Sequence, residues 1–151
     1  MEKLKQYVGN TFVGFFSDEH RFGNGKGQDF SIGRKTMVFP WKDNLENFFD
    51  EEELLNLPFL LPINAKGREH FIRYKYMNII SELYSENFTN ILGNWCRKHN
   101  LEYIGHVIED NNAHARLGYG AGHFFRALDG QDMSGIDVVL GQILPGMNNY
   151  L

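Results

Sequence analysis

The feature that most constrains the fold of this chain is a pair of apolar segments separated by one long amphipathic segment. Residues 11–17 and about 101–108 are rich in apolar and β-branched side chains, which is typical of strands in a parallel sheet. Between them, apolar side chains recur every three or four residues over about 69–99, which predicts a long helix. Two strands joined by such a crossover form a parallel βαβ unit. The sequence therefore predicts an α/β fold with both carboxyl strand ends at one edge of the sheet.

Each predicted strand is followed by two acids, Asp18 and Glu19 after the first and Glu109 and Asp110 after the second. In (β/α)8 barrels, catalytic groups come from the carboxyl ends of different strands. Glycoside hydrolysis needs one carboxyl group to protonate the leaving oxygen and another to attack the sugar or activate water. Spacing thus makes Glu19 and Glu109 candidate catalytic residues, while Asp18 and Asp110 point to the opposite side of an extended chain. The alternative is that these acids are solvated or cap a following helix.

The rest of the chain supplies loops and shorter elements. Residues 20–40 contain few periodic apolar positions and several glycines, which predicts a long loop. Acids followed by helically spaced apolar residues predict one or two short helices after Asn44. A short helix is expected at about 122–128 and a third strand at 135–142. No repeat or break in composition divides the chain, so residues 1–151 are interpreted as one domain.

The amino-acid composition indicates which classes of molecule this chain could bind. Aromatic residues make up 15% of the chain, which suits a carbohydrate-binding surface, and Trp41 follows Pro40 in a loop where it could stack on a sugar. A net charge of −4 gives no electrostatic case for nucleic acid or for an anionic membrane. Cys96 is the only cysteine, which excludes a disulfide framework and a thiolate metal cluster. Without an apolar leader or a membrane span, the chain is expected to be cytoplasmic, although a longer parent enzyme could be exported.

The chain also resembles the catalytic barrel of large bacterial glycoside hydrolases, and most of all the group around glycoside hydrolase family 106, the α-L-rhamnosidases. Related barrels are described as family 2-like. The resemblance covers about residues 11–140 and is carried, in this order, by the segments "GFFSDEHRFGN", "MVFPW", "RYKYMNIISELYSENFTNILGNWCRKHNLEYIGHVIED" and "MSGIDVV".

This resemblance implies a catalytic barrel of parallel strands with outer helices, which hydrolyses a glycosidic bond with paired carboxylates. For family 106 it further implies inversion assisted by a calcium ion. Carried onto this chain, it favours Glu19 and Glu109 as the acidic groups, with Asp18 and His106 beside them. Calcium held by Glu19, Glu109 or Asp110 is implied by the resemblance alone. The residues themselves indicate no metal site, and His106 is more typical of a hydrogen-bonding histidine at a barrel mouth.

Two departures from the family pattern limit what the resemblance implies. After the second acidic pair the chain reads "NNAHARLGYGAGHFF", where relatives carry a loop with Ser and Gln. Three or four predicted strands also cannot close an eight-stranded barrel, so the chain is interpreted as a partial, half TIM-type barrel and a fragment of a longer enzyme. Exposed half-barrel faces predict a homo-oligomer. A non-catalytic carbohydrate-binding or self-associating remnant is the alternative function, and the activity of the isolated chain is left open.

Overall fold

The α/β class predicted from the sequence is confirmed by a computed structural model. The structure describes residues 2–22, 39–61, 66–107 and 121–137. In these ranges, three parallel strands form one open sheet in the order in which they occur along the chain: β1 (Gly14–Ser17), β2 (Glu102–Gly105) and β3 (Met133–Ser134). The sheet is not closed into a barrel, so the partial-barrel expectation is confirmed only as an α/β fold with a parallel sheet.

Helices account for most of the remaining described residues. The α-helices are α1 (Glu51–Asn56), α2 (Arg68–Tyr84), α3 (Asn90–Lys98) and α4 (Phe124–Leu128). A π-helical turn, Ser85–Thr89, joins α2 directly to α3, so the predicted long helix is confirmed over residues 68–98. Short 3-10 turns flank α1, as expected for this part of the sequence. No helix within the described ranges is long and apolar enough to cross a membrane, and the cytoplasmic location stays a prediction.

The π-helical turn corrects the predicted buried face of the long helix. Sequence periodicity places Ile91 and Trp95 on the apolar face, but their side chains are 56% and 38% exposed. A π-helical turn holds one residue more than an α-helical turn and therefore rotates everything that follows it. The buried positions beyond Ile80 are Ser81, Ser85, Thr89, Gly93 and Cys96, so beyond the π-helical turn Gly93 and Cys96 are buried in place of Ile91 and Trp95.

The register of the sheet divides its side chains between two faces. Phe15 pairs with Tyr103, and both lie on the helix side, where the Phe15 ring is 5.9 Å from the ring of Trp95. Phe16, Ile104 and Met133 pair across all three strands and form a single row on the opposite face. Phe16 and Met133 are 61% and 59% exposed, so this second face is open and apolar.

The third strand lies earlier than predicted. Residues 133–134 pair with β2, whereas 135–137 are not in a strand and 138–142 lie outside the described residues. Asp132 fixes this register. Its carboxylate accepts a hydrogen bond from the Tyr103 amide at 2.9 Å and forms an ion pair with Arg97 at 2.9 Å. The pairing continues only as far as the Gly135 amide, which donates to the Gly105 carbonyl at 2.7 Å.

The helix α1 and the 3-10 turns beside it pack against the amino-terminal half of α2. Asp50 and Glu53 cap α1 reciprocally, and Glu53 reaches Lys75 of α2 at 3.1 Å. Leu45, Ile72 and Tyr76 are fully buried between these elements. At the other end of the fold, Arg126 of α4 donates to the Asn78 carbonyl and the Ser81 hydroxyl of α2. These contacts hold α1 and α4 against α2.

Substitution of Gly93 by Ala tests the packing of the long helix. Alanine in place of glycine ordinarily stabilises a helix by about 0.5–1 kcal/mol. A Cβ on Gly93, however, would lie 1.9 Å from the Gly130 carbonyl oxygen, so we expect Gly93→Ala to destabilise the fold by about 1–3 kcal/mol. Urea unfolding measures the change, with Lys98→Ala at an exposed position of α3 as the control. Stabilisation by Gly93→Ala would contradict the close contact.

Candidate functional site

Parallel pairing brings Asp18 and His106 together at the carboxyl edge of the sheet. Ser17 and Gly105 are partners at the ends of β1 and β2, so the residues that follow them are neighbours. The Nε2 atom of His106 lies 2.9 Å from Oδ1 of Asp18. The His106 ring also lies 5.8 Å from the ring of Phe16, which places the pair on the open face of the sheet.

The two members of this pair differ in exposure. His106 is buried, whereas the Asp18 side chain is 74% exposed and accessible to a molecule in solvent. Nδ1 of His106 lies 3.1 Å from the Val107 carbonyl oxygen, so both ring nitrogens face oxygen acceptors. A histidine protonated at both nitrogens can donate to both of these oxygens. The arrangement therefore holds an exposed carboxylate in a fixed orientation through a charge-assisted hydrogen bond.

Glu19 lies beside this pair in an unusual backbone conformation. Its φ angle is 44°, in the left-handed region, which costs a residue other than glycine about 1–2 kcal/mol. Its side chain is exposed at the turn that follows β1. Asp18 and Glu19 are consequently presented by a sharp turn rather than by continued strand, so alternation along an extended chain does not describe their directions.

A buried polar network lies on the helix side of the same edge. The Ser17 hydroxyl is 2.9 Å from the Tyr103 hydroxyl and 3.1 Å from Nδ1 of His20. The His20 ring stacks on the ring of Tyr84 at 5.9 Å and also contacts Phe88 at 5.1 Å. None of these residues is predicted from the sequence as part of a site. The signal that could have found them is the pair of polar residues, Ser17 and His20, on either side of the first acids.

Several buried atoms around this network make no hydrogen bond in the structure. They are Nε2 of His20, the hydroxyl of Tyr84 and both side-chain amide atoms of Gln131. Burial raises the pKa of Tyr84 well above its ordinary value, and the nearby Tyr103 adds to this effect, so the Tyr84 phenol stays protonated. Unpaired buried polar groups are costly, and these four atoms lie at one end of the sheet.

Burial also lowers the pKa of His20 below its ordinary value of 6.5. The backbone carbonyl of Ala127 acts in the opposite direction, and the charge of His106 lowers the pKa of His20 further. His20 is therefore held neutral on the helix side of the strand end.

Trp41 lies away from the Asp18–His106 pair. Its side chain is 53% exposed and lines a cleft with Phe22, Pro40, Lys42 and residues of α2. The structure therefore brings together Asp18, Glu19 and His106 at the sheet edge and places Trp41 in a neighbouring cleft. Glu109 and Asp110 lie outside the described residues, so the predicted pairing of Glu19 with Glu109 stays a prediction.

The described residues do not by themselves fit the calcium ion implied by the family resemblance. Calcium takes about six to eight oxygen ligands. Within the described ranges, no three His, Cys, Asp or Glu side chains are grouped so that they could hold a metal ion. Asp18 and Glu19 are the described acids that directly follow a strand of the sheet.

No protein-family model matches the chain, and comparisons with curated proteins and with solved structures find no significant match. The resemblance to glycoside hydrolases stays an expectation.

The lowered pKa of His20 predicts a pH dependence of stability. Below about pH 6.5 the unfolded chain takes up a proton that folded His20 resists, so the free energy of unfolding should fall with pH until His20 is protonated in the folded state. We expect His20→Gln to reduce this loss between about pH 7 and about pH 5. His123, whose pKa is also lowered by burial, contributes in the same direction and leaves a residual slope.

Urea unfolding over this pH range measures the effect. The matched control is His70→Gln, which removes an exposed histidine of α2. An unchanged slope in His20→Gln would show that His20 does not resist protonation in the folded protein.

Proposed function

We propose that this chain forms part of the catalytic barrel of a glycoside hydrolase, most similar to an α-L-rhamnosidase, and hydrolyses glycosidic bonds with paired carboxylates. The observation that carries the proposal is the meeting of Asp18, Glu19 and His106 at the carboxyl edge of a parallel sheet. Barrel enzymes place their catalytic groups at this edge.

The strand order supports a partial barrel. Neighbouring strands follow one another along the chain, and right-handed crossovers in such an order put successive helices on the same face of the sheet. The opposite face then becomes the interior of a barrel. Phe16, Ile104 and Met133 form a row across that face, as side chains of one interior layer do. His106 lies on the same face, one step nearer the mouth.

The geometry also suggests a division of roles. Asp18 is held by His106 and is exposed, so it is suited to accept hydrogen bonds from sugar hydroxyls in a fixed orientation. Glu19 projects from the adjacent turn, where it can act as one member of the acid–base pair, and Glu109 after β2 is the second member. His106 is a positioning residue that acts through Asp18, and Asp110 is the remaining acid for binding substrate.

Glu19→Gln and Glu109→Gln test the catalytic assignment. We expect each to lower kcat/KM on 4-nitrophenyl α-L-rhamnoside by about 100-fold or more, because proton transfer by a positioned group contributes about that much. The control is Glu102→Gln, which replaces an exposed carboxylate at the amino end of β2, far along the strand from the candidate edge. Circular dichroism verifies that each variant is folded.

Two results would contradict the assignment. An equal loss in Glu102→Gln would show that the effect is not specific to the carboxyl edge. A folded wild-type chain that hydrolyses none of a panel of aryl glycosides would exclude catalysis by this chain, and the non-catalytic alternative would then stand.

The open apolar face of the sheet also supports the alternative in which the chain associates with itself. We propose that the face containing Phe16, Ile104 and Met133 packs against another copy of this chain, because an uncovered apolar sheet face is costly in water. Two partial barrels packed in this way would cover both open faces.

Phe16→Glu tests this association. We expect the wild-type chain to sediment as an oligomer and Phe16→Glu as a monomer, because a carboxylate in this row would be desolvated in the interface. Ile91→Glu introduces the same charge at an exposed site on the helix side and should leave the oligomer intact. A monomeric wild-type chain, or equal dissociation in both variants, would contradict the proposed interface.

A further inference from the structure

The cleft that contains Trp41 is a compact site separate from the acids. Its volume is about 230 Å³. Its walls come from the chain around Trp41, from Phe22 and from one side of α2 and the π-helical turn: Phe22, Pro40, Trp41, Lys42, Ile80, Leu83, Tyr84 and Asn87. Clefts for drug-sized ligands hold about 300–1,000 Å³, so this one is suited to a single ring rather than to a peptide segment.

The indole of Trp41 is exposed although the backbone beside it is fixed. The hydroxyl of Tyr76, a fully buried residue of α2, donates to the Pro40 carbonyl immediately before Trp41. The Phe39 ring packs edge-on against the Tyr76 ring at 5.8 Å. An exposed aromatic side chain on an anchored segment loses little conformational entropy when it binds a ligand.

The other walls of the cleft are apolar except at Asn87 and Lys42. Phe22 and Tyr84 contact each other edge-to-face at 5.4 Å and form one side. The Nδ2 atom of Asn87 donates to the Leu83 carbonyl at 2.8 Å, which fixes the amide and leaves Oδ1 to accept a hydrogen bond. The Lys42 ammonium lies 5.5 Å from the centre of the Phe48 ring. None of the described residues that line the cleft is an acid.

We propose that this cleft binds one neutral pyranose ring, whose C–H face stacks on Trp41 and one of whose hydroxyls donates to Asn87. A pyranose combines an apolar face with a hydroxyl rim, and the cleft combines aromatic walls with a fixed amide acceptor. Among the described residues that line the cleft, the one charged group is the Lys42 ammonium, which is engaged by Phe48. The inference rests on the proposed function for its substrate class and assigns the sugar a second place of contact.

The cleft is connected to the catalytic edge through Tyr84. One side of the Tyr84 ring lines the cleft, and the ring also stacks on His20, which contacts Ser17 directly before Asp18. Tyr84 therefore lies between the cleft and the helix side of the strand end that carries Asp18, whereas the Asp18–His106 pair lies on the opposite face of the sheet. The Trp41 cleft is then a sugar-binding subsite separate from the acids.

The indole N–H resonances of the two tryptophans give a direct test in the full chain. We expect methyl α-L-rhamnoside, or another neutral methyl pyranoside of a small panel, to shift the Trp41 resonance with a Kd of about 1–10 mM, and to leave Trp95 unchanged. Methyl glycosides carry no aromatic aglycone, so a shift reports the sugar. Trp41→Ala and Asn87→Ala should weaken binding at least about tenfold, as measured by saturation-transfer NMR.

Trp95→Phe is the matched control, because it alters the other tryptophan and keeps an aromatic ring beside Phe15 and His99. Glu19→Gln should retain binding in the cleft, which separates this proposal from the catalytic one. Binding without hydrolysis by the wild-type chain would support the subsite and contradict catalysis.

Three outcomes would contradict sugar binding in the Trp41 cleft. They would not affect the catalytic proposal, which the Glu19 and Glu109 variants test separately. The first is no Trp41 shift with any methyl pyranoside in the folded chain. The second is an equal shift of the Trp95 resonance with the same methyl pyranoside. The third is a shift of the Trp41 resonance with 4-nitrophenol alone that matches the shift with 4-nitrophenyl glycosides.

Discussion

The candidate site depends on the close parallel contact between the ends of β1 and β2. Ser17 and Gly105 are partners there, and a Cβ at position 105 would lie 2.5 Å from the Ser17 carbonyl oxygen and 2.7 Å from its hydroxyl oxygen. Only glycine therefore allows the strands to approach while the Ser17 hydroxyl points to the helix side. The same approach sets Asp18 beside His106 on the other face. One constraint thus produces both the open ion pair and the buried network behind it.

The π-helical turn is the second feature on which the site depends. It rotates the end of the long helix so that Thr89, Gly93 and Cys96 face inward. Gly93 then accommodates the carbonyl of Gly130, and Arg97 reaches Asp132 before β3. Tyr84, the last residue before the π-helical turn, meets His20. A regular helix in this position would turn different side chains toward both the strand end and the loop that leads into β3.

Much of the fold could be predicted from the sequence, because local patterns determine it. Apolar runs and helical periodicity predict the βαβ unit, and the acids after the first strand lie at the carboxyl edge that its parallel pairing predicts. The rest depends on non-local packing. No periodicity signals the extra residue at Ser85–Thr89, so a regular pattern predicts Ile91 and Trp95 on the buried face, whereas both are exposed. The register of β3, which begins before the predicted strand, is set by the Asp132 contacts with Tyr103 and Arg97.

The two faces of the sheet edge are electrostatically linked through their histidines. His106 binds a carboxylate that solvent can reach, whereas His20 lies among aromatic rings and unpaired polar atoms. The charge of His106 lowers the pKa of His20, so a proton on the open face disfavours a proton on the helix side. Neutral His20 can then accept from the Ser17 hydroxyl, which in turn is available to the Tyr103 hydroxyl. The strand end that carries Asp18 is therefore hydrogen-bonded on both faces of the sheet, by His106 on the open face and through the Ser17 hydroxyl on the helix side, which fixes the carboxylate proposed to hold the sugar.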